Sequence, residues 1–565
     1  MAMAGADPLQ QYRDACAELT AAGSAFAIQD PDEPYRRVFA GTPVTLNAFL
    51  ETVRQEHSAR DFLEFQRKRK TFQEIFDSAD NLAAALHLHH GIAAGDVVGL
   101  AMRNLPEWFI AFFALIRLGA VVALLNSRGT PEEIAYTASR VGSRLVIADD
   151  PRDDELKGRT DCPVMGLAEL KALAADRGSA AMPPMPAQTA DDPAIILFTS
   201  GTTGRPKGAT MTNRNMCLVA REGEFRREAA LTIAAKQYGY PIDALRQASP
   251  PSSSLLVFPM FHISGLTILL MSLAGGGLMT LMERWNPAEA LDRIEANQVN
   301  ALSGPSLIFS DMLALPDAPE KLRSVRNFSV GGQSTPVGLA RRLLETFPAA
   351  GMSGGWGQTE ASGPVTAGSA DVYGAFPGTV GMTAPLADIR VVDAGGKLLP
   401  AGEIGELEVR APQVMKGYWN DEAATREAFR DGWLRTGDMG RFDEHGLVYI
   451  ADRAKDMVIS AGENIYCAEV ERVLSMLDDQ LEVAIFGVPD ERLGERAIAA
   501  VVLRDDVSSK LDSDSVRAHV RSQLAEYKVP SEVCFDLGPL PRNDLGKVDK
   551  VALARRYHDH SQNRA

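Results

Sequence analysis

From Phe72 to Phe198, apolar runs of strand length alternate with apolar residues at helical spacing, and few architectures accept that pattern. Phe72, Ile75, Phe76, Ala79, Leu82, Ala83 and Leu86 fall on one helical face. Val97–Met102 reads as a buried strand, and a helix follows from Pro106. Thr130-Pro131-Glu132-Glu133 is a capping box with proline at the first helical position, so another helix starts there. Leu145–Ala148 and Ala194–Phe198 are the next strands. Strands separated by helices predict an α/β fold, a parallel sheet with helices on both faces.

At 565 residues the chain exceeds what one core fills, so at least two domains are expected. After about residue 380, glycine-punctuated strands such as Gly405–Arg410 suggest a β-rich subdomain, and the texture changes again after Arg453 to a smaller α+β unit. The net charge of −16 excludes a broad grip on nucleic acid or an anionic membrane, so any bound anion must meet local positive charge. The five cysteines show no metal spacing and read as reduced thiols of a cytoplasmic protein, and the acidic start does not read as a signal peptide. Leu255–Met282 is mostly apolar, but Pro259, His262, Gly265 and Gly275–Gly277 punctuate it, which suits buried strands and turns better than a membrane span. His87, His89 and His90 read as a solvated helix end rather than a metal site.

The segment Thr199-Ser200-Gly201-Thr202-Thr203-Gly204-Arg205-Pro206-Lys207-Gly208 carries the first chemistry. Glycines let a backbone turn sharply and aim successive N–H groups at one anion, hydroxyls add donors, and Lys207 adds a point charge for phosphate. It is not a Walker A loop, because the G-K-[ST] adjacency is absent.

This segment resembles the phosphate loop of the adenylate-forming acyl-CoA synthetases, and further matches in the expected order extend the resemblance from about residue 45 to about 555. Phe258–Gly265 is similar to the family's aromatic-histidine segment, which implies that His262 lines the acyl carboxylate and the thiol channel. Gly354–Glu360 resembles the motif in which an aromatic stacks near adenine (Trp356, where tyrosine is usual), Thr359 meets the α-phosphate and Glu360 holds Mg²⁺ together with Thr199. Gly332 and Gln333 match the adenine-side turn, with glutamine atypical there. Asp438 matches the ribose carboxylate and Arg453 its partner near ribose and phosphate. Lys455 falls at the hinge position, Gly462 in the loop beside the pantetheine arm, and Lys547 at the lysine that contacts carboxylate and α-phosphate. Ala461 and Cys467 depart from the family's glycine and proline, and Cys467, with no basic neighbour in view, reads as packing.

The resemblance implies an ATP- and acyl-binding domain over 1–453 with a β-barrel-like unit, and a mobile lid over 454–565. It implies an acid–CoA ligase using ATP, Mg²⁺ and coenzyme A in two steps, acyl-adenylate plus pyrophosphate, then acyl-CoA plus AMP. The apolar stretch and the small residues Gly354 and Gly355 suggest a roomy pocket for a fatty, alicyclic or aromatic acid. Three alternatives stay open: a ligase loading a carrier protein, a luciferase-type oxidase, and a nucleotide-binding regulator without chemistry.

Overall fold

A computed structural model describes residues 7–30, 32–176, 181–200, 205–331, 337–454, 456–461, 463–477, 481–503, 511–543 and 546–564. Ser200, Gly201, Thr202, Thr203, Gly204, Gly332, Gln333, Lys455 and Gly462 lie outside that description, Ser200 as to its side chain alone.

Two seven-stranded sheets build the large N-terminal domain. The first runs in space Gly417–Tyr418, Pro206–Thr212, Pro193–Ser200, Val121–Leu124, Val97–Ala101, Leu145–Ala148, Val164–Met165. It is parallel from Pro193–Ser200 onward but antiparallel at its other edge, where Pro206–Thr212 folds back beside Pro193–Ser200. The parallel sheet expected from the sequence is thus a mixed one, because the five positions between these two strands are too few for a helical crossover. The second sheet runs Gly351–Ser353, Asn327–Val330, Ala301–Gly304, Ser253–Leu256, Leu278–Leu281, Asp61–Phe65, Lys68–Thr71.

One core joins the two sheets, drawing on Val98 and Leu100 of the first and Leu256, Met279 and Leu281 of the second. The helix Pro106–Arg117 is buried on all sides, with Trp108 stacked on Phe112 at 4.9 Å, as expected of a helix enclosed within that core. The predicted capping box at Thr130 is present, and the whole predicted face of the Phe72–His90 helix is buried.

The apolar stretch 255–282 is not all strand. Between Ser253–Leu256 and Leu278–Leu281 lies the helix Ile263–Ala274, whose nearly continuous apolar sequence hides its period. Among the described residues no helix is long and apolar enough to cross a membrane. The Phe72–His90 helix ends at Gly91 in the left-handed region, with His87 and His89 exposed; His90 does have an acidic neighbour, Glu169 at 3.7 Å. Among the described residues no group of three side chains could hold a metal.

An antiparallel five-stranded sheet follows, in which Trp433–Phe442 pairs with Gly405–Arg410 and with Val448–Arg453. The smaller C-terminal domain has its own five-stranded sheet, centred on Leu481–Asp490 and Gly494–Leu503 and covered by Cys467–Leu474, Ser513–Gln523 and Lys550–Arg564. Asp452 joins the two, accepting from the N–H groups of Arg453 at 2.7 Å and Ala468 at 3.3 Å.

Candidate active site

The strand Pro193–Ser200 delivers Thr199 to the edge of the cleft, and the returning strand places Lys207 directly opposite it. On the far side of that return, Ala209 pairs with Tyr418. The Lys207 ammonium lies 5.3 Å from the Tyr418 ring centre, over its face.

Tyr418 also meets the second motif. Its phenol donates to Oε1 of Glu360 at 2.8 Å, and Thr199 lies beside the phenol oxygen. Burial, then the Glu360 charge, pushes this phenol far above its ordinary pKa, so it stays a donor. Glu360 sits in the short 3₁₀ turn Thr359–Ala361, and its own carbonyl accepts from Met415 N–H at 2.8 Å. Just before the turn, a Cβ on Gly357 would stand 1.9 Å from the Gly363 carbonyl oxygen, so only glycine lets these strands approach. Glu360 and Thr199 are hard oxygen donors joined through one phenol, a set that fits Mg²⁺ with phosphate oxygens and waters completing its shell.

A third group forms around Asp438, which is 4% exposed. Strand register pairs it with Arg453, whose Nε lies 2.7 Å from Oδ1, and the indole N–H of Trp356 donates to Oδ2 at 2.7 Å. Burial raises the Asp438 pKa, while Arg453, Trp356 and Lys547 oppose that rise. The side chain that replaces the usual tyrosine therefore gains a bond to the carboxylate.

His262 caps the Ile263–Ala274 helix, its Nδ1 accepting the Ser264 N–H at 3.2 Å. Burial, then the positive charge of Lys547, lowers its pKa to about 4, so it is a neutral imidazole with the proton on Nε2. Lys547 follows Gly546, whose φ of +76° closes a turn in which Lys547 N–H donates to Asn543 Oδ1 at 3.1 Å. The turn belongs to the C-terminal domain, yet Lys547 acts on His262 and Asp438 alike. Thr199, His262, Trp356, Glu360, Asp438 and Lys547 all line one cavity of about 2430 Å³. Thr359 also lines it.

Two readings need correction. Gly355 does not leave open space: a Cβ there would meet the Thr366 carbonyl oxygen at 2.9 Å and Pro364 at 3.0 Å, whereas at Gly354 it would meet only the Tyr373 ring at 3.8 Å. Cys467 does have a basic neighbour, Lys550, but burial dominates and keeps the thiol high, with Sγ 3.1 Å from the Asp456 carbonyl oxygen. None of the five cysteines forms a disulfide. Tyr418 escaped the sequence reading altogether. Its only local signal is an aromatic pair, Tyr418-Trp419, after a glycine.

The chain matches the AMP-binding enzyme family over residues 49–419 and the AMP-binding enzyme C-terminal domain over 469–547. It is 32% identical over 482 residues to a long-chain-fatty-acid–CoA ligase of Mycobacterium tuberculosis, covering 83% of this chain and 89% of that one. It is 32% identical over 493 residues to a feruloyl-CoA synthase of an Amycolatopsis species, covering 86% and 94%. Among solved structures, the o-succinylbenzoate coenzyme A synthetase of Bacillus subtilis in complex with ATP and magnesium ion superposes with a TM-score of 0.74 at 27% identity, covering 89% of this chain and 98% of that one.

Proposed function

This chain belongs to the AMP-binding enzyme family, and from that premise we propose that it is an AMP-forming acid–CoA ligase acting on a hydrophobic carboxylic acid. One observation carries the assignment of the site: a lysine from the C-terminal domain, Lys547, bears on His262 and Asp438 within the cavity that also holds Glu360 and Thr199. Relatives that are fatty, succinylbenzoate and feruloyl ligases support the substrate class.

In the first half-reaction an acid oxygen attacks the α-phosphorus of ATP, a C–O–P linkage forms, and pyrophosphate leaves. In the second, the CoA sulfur attacks the acyl carbon, the thiol gives up its proton, and AMP leaves. Neither step needs a protein nucleophile; positioning and charge neutralisation suffice. Asp438 accepts the ribose hydroxyls, held in place by Trp356 and Arg453. Lys547 lies between the acid and the α-phosphate, and Thr359 and the loop from Thr199 through Ser200, Gly201, Thr202, Thr203 and Gly204 to Lys207 hold the phosphates. Glu360 and Thr199 would hold Mg²⁺, which when bound neutralises phosphate charge. His262, neutral, can donate one hydrogen bond to the acyl carboxylate but cannot bring it a positive charge.

The division at 453/454, with Lys455 as hinge and Gly462 beside the pantetheine arm, belongs to the same reading. Asp438, before that point, and Lys547, beyond it, would part company when the lid turns. Five cysteines outside any disulfide support a cytoplasmic setting. The test is a screen of carboxylic acids for ATP–pyrophosphate exchange and for CoA-dependent AMP release. Exchange without CoA-dependent release would favour a carrier protein as acceptor, and no exchange with any acid would favour a regulator.

A further inference from the structure

The cavity has a second cationic wall. Arg226, on the long helix Asn213–Tyr238, lines it together with Tyr12 of the helix Pro8–Thr20 and Tyr373 of Ala370–Ala375. These three helices pack through Leu9, Tyr12, Ala15, Ala229, Ile233 and Val372. Arg226 donates to the Thr366 carbonyl oxygen at 3.0 Å, and the Thr366 hydroxyl in turn accepts the Trp356 N–H at 2.7 Å. The guanidinium thus stands behind the strand that carries Trp356. A Cβ on Gly355 would lie 3.7 Å from it. Lys547, and not Arg226, is the cation that bears on His262, so the two positive charges serve different parts of the cavity.

Among the described residues Arg226 makes no ion pair within 4 Å. Glu222, one turn earlier on the same helix, feels the Arg226 charge, but its hydrogen bond comes from Gln413. A guanidinium has five donors, and the Thr366 carbonyl oxygen is the one acceptor found for Arg226 among the described residues.

We propose that Arg226 receives an anionic group at the far end of the acid, so that the preferred substrate is a hydrophobic acid bearing a second carboxylate. This rests on the ligase reading above. One carboxylate would be activated beside Lys547 and the other would pair with Arg226, within a cavity that Ile263, Ile268 and Met271 also line. A purely hydrophobic acid would leave the guanidinium without that partner, which is how such a site discriminates.

The experiment compares α,ω-dicarboxylic acids with monocarboxylic acids of equal carbon number, from six to twelve carbons, by pyrophosphate exchange and thioester formation. The wild-type chain should favour the dicarboxylate at one matched length by roughly tenfold or more in kcat/KM, the range of a charge-assisted bond. Arg226→Gln keeps a donor for the Thr366 carbonyl oxygen while removing the charge. It should lose that preference, mainly through KM, and leave monocarboxylate turnover near wild type. Arg226→Lys should recover part of the preference. If the wild type favours monocarboxylates at every length, or if Arg226→Gln lowers both series alike, Arg226 is a brace for Thr366 and the inference falls while the ligase reading stands. No exchange with any acid in either series would remove the ligase reading, and this inference with it.

Discussion

Trp356 and Arg453 hold the two oxygens of Asp438 from opposite partners, the indole N–H on Oδ2 and the guanidinium on Oδ1, each at 2.7 Å. A buried carboxylate so fixed is preorganised to accept two vicinal hydroxyls, because each oxygen keeps a further lone-pair site. Asp438→Ala should therefore weaken AMP and ATP binding by roughly tenfold or more, since hydrogen bonds to a charged acceptor contribute about 1.5–3 kcal/mol. Trp356→Phe keeps the stacking face and removes one support, so its loss should be smaller. Calorimetry with AMP reads both. Unchanged affinity in Asp438→Ala would make the residue a structural acid paired with Arg453.

Tyr418 links the proposed metal carboxylate to the phosphate strand, and removing one oxygen tests that link. Tyr418→Phe preserves the ring under Lys207 but leaves Glu360 Oε1 without its 2.8 Å donor. The expected result is a several-fold rise in the Mg²⁺ concentration needed for half-maximal exchange, with weaker Mg·ATP binding by calorimetry and little change in melting temperature. A variant with wild-type Mg²⁺ dependence would confine Tyr418 to packing.

Much of the site is legible in the sequence because its parts sit in short contiguous motifs. Thr199, Glu360, Asp438 and Lys547 each lie in a run whose glycines and polar residues make chemical sense locally, and the fold brings all four to one cavity. The links between the motifs are a different matter. Tyr418 reaches Glu360 across 58 positions and Trp356 reaches Asp438 across 82, through pairings between strands that no local pattern announces. Arg226 is one charge among several on its helix, and the Pro8–Thr20 helix that packs beside it lies more than two hundred positions away. The helix Ile263–Ala274 was hidden for the opposite reason: an element buried nearly all round has no polar face to mark its period.

Glu222 offers a test of stability against pH. Full burial raises its pKa to about 7, partly offset by Arg226 and by the Gln413 amide. The folded chain therefore holds a proton that the unfolded chain releases near pH 4.5, so this group's contribution falls as pH rises from about 4.5 to about 7 and stays lost above that. Glu222→Gln removes the buried charge and can donate to Gln413 Oε1, which is buried without a partner among the described residues. The variant should be more stable than wild type at pH 8 by on the order of 2 kcal/mol and nearly equal to it at pH 4.5. Melting curves at both pH values check the sign; a gain confined to the acid side would contradict the assignment.

Two lysines of the C-terminal region, Lys547 and Lys455, separate the half-reactions. The charge of Lys547 bears on His262 and Asp438 in this arrangement of the domains, so its ammonium is available to the charge that builds between acid and α-phosphate. Loss of one such preorganised donor costs on the order of 10²–10³ in rate. Lys547→Ala should therefore nearly abolish pyrophosphate exchange. Given synthetic acyl-adenylate and CoA, the same variant should still make thioester, because in the proposed cycle the lid has turned and carried the lysine away. Lys455→Pro should do the reverse, since a fixed φ at the proposed hinge restricts the turn that delivers the pantetheine loop. Exchange would survive in that variant and thioester formation would fall. Equal loss of both steps in both variants would mean that one fixed arrangement serves the whole reaction, and Lys547 would then have to neutralise charge in each half.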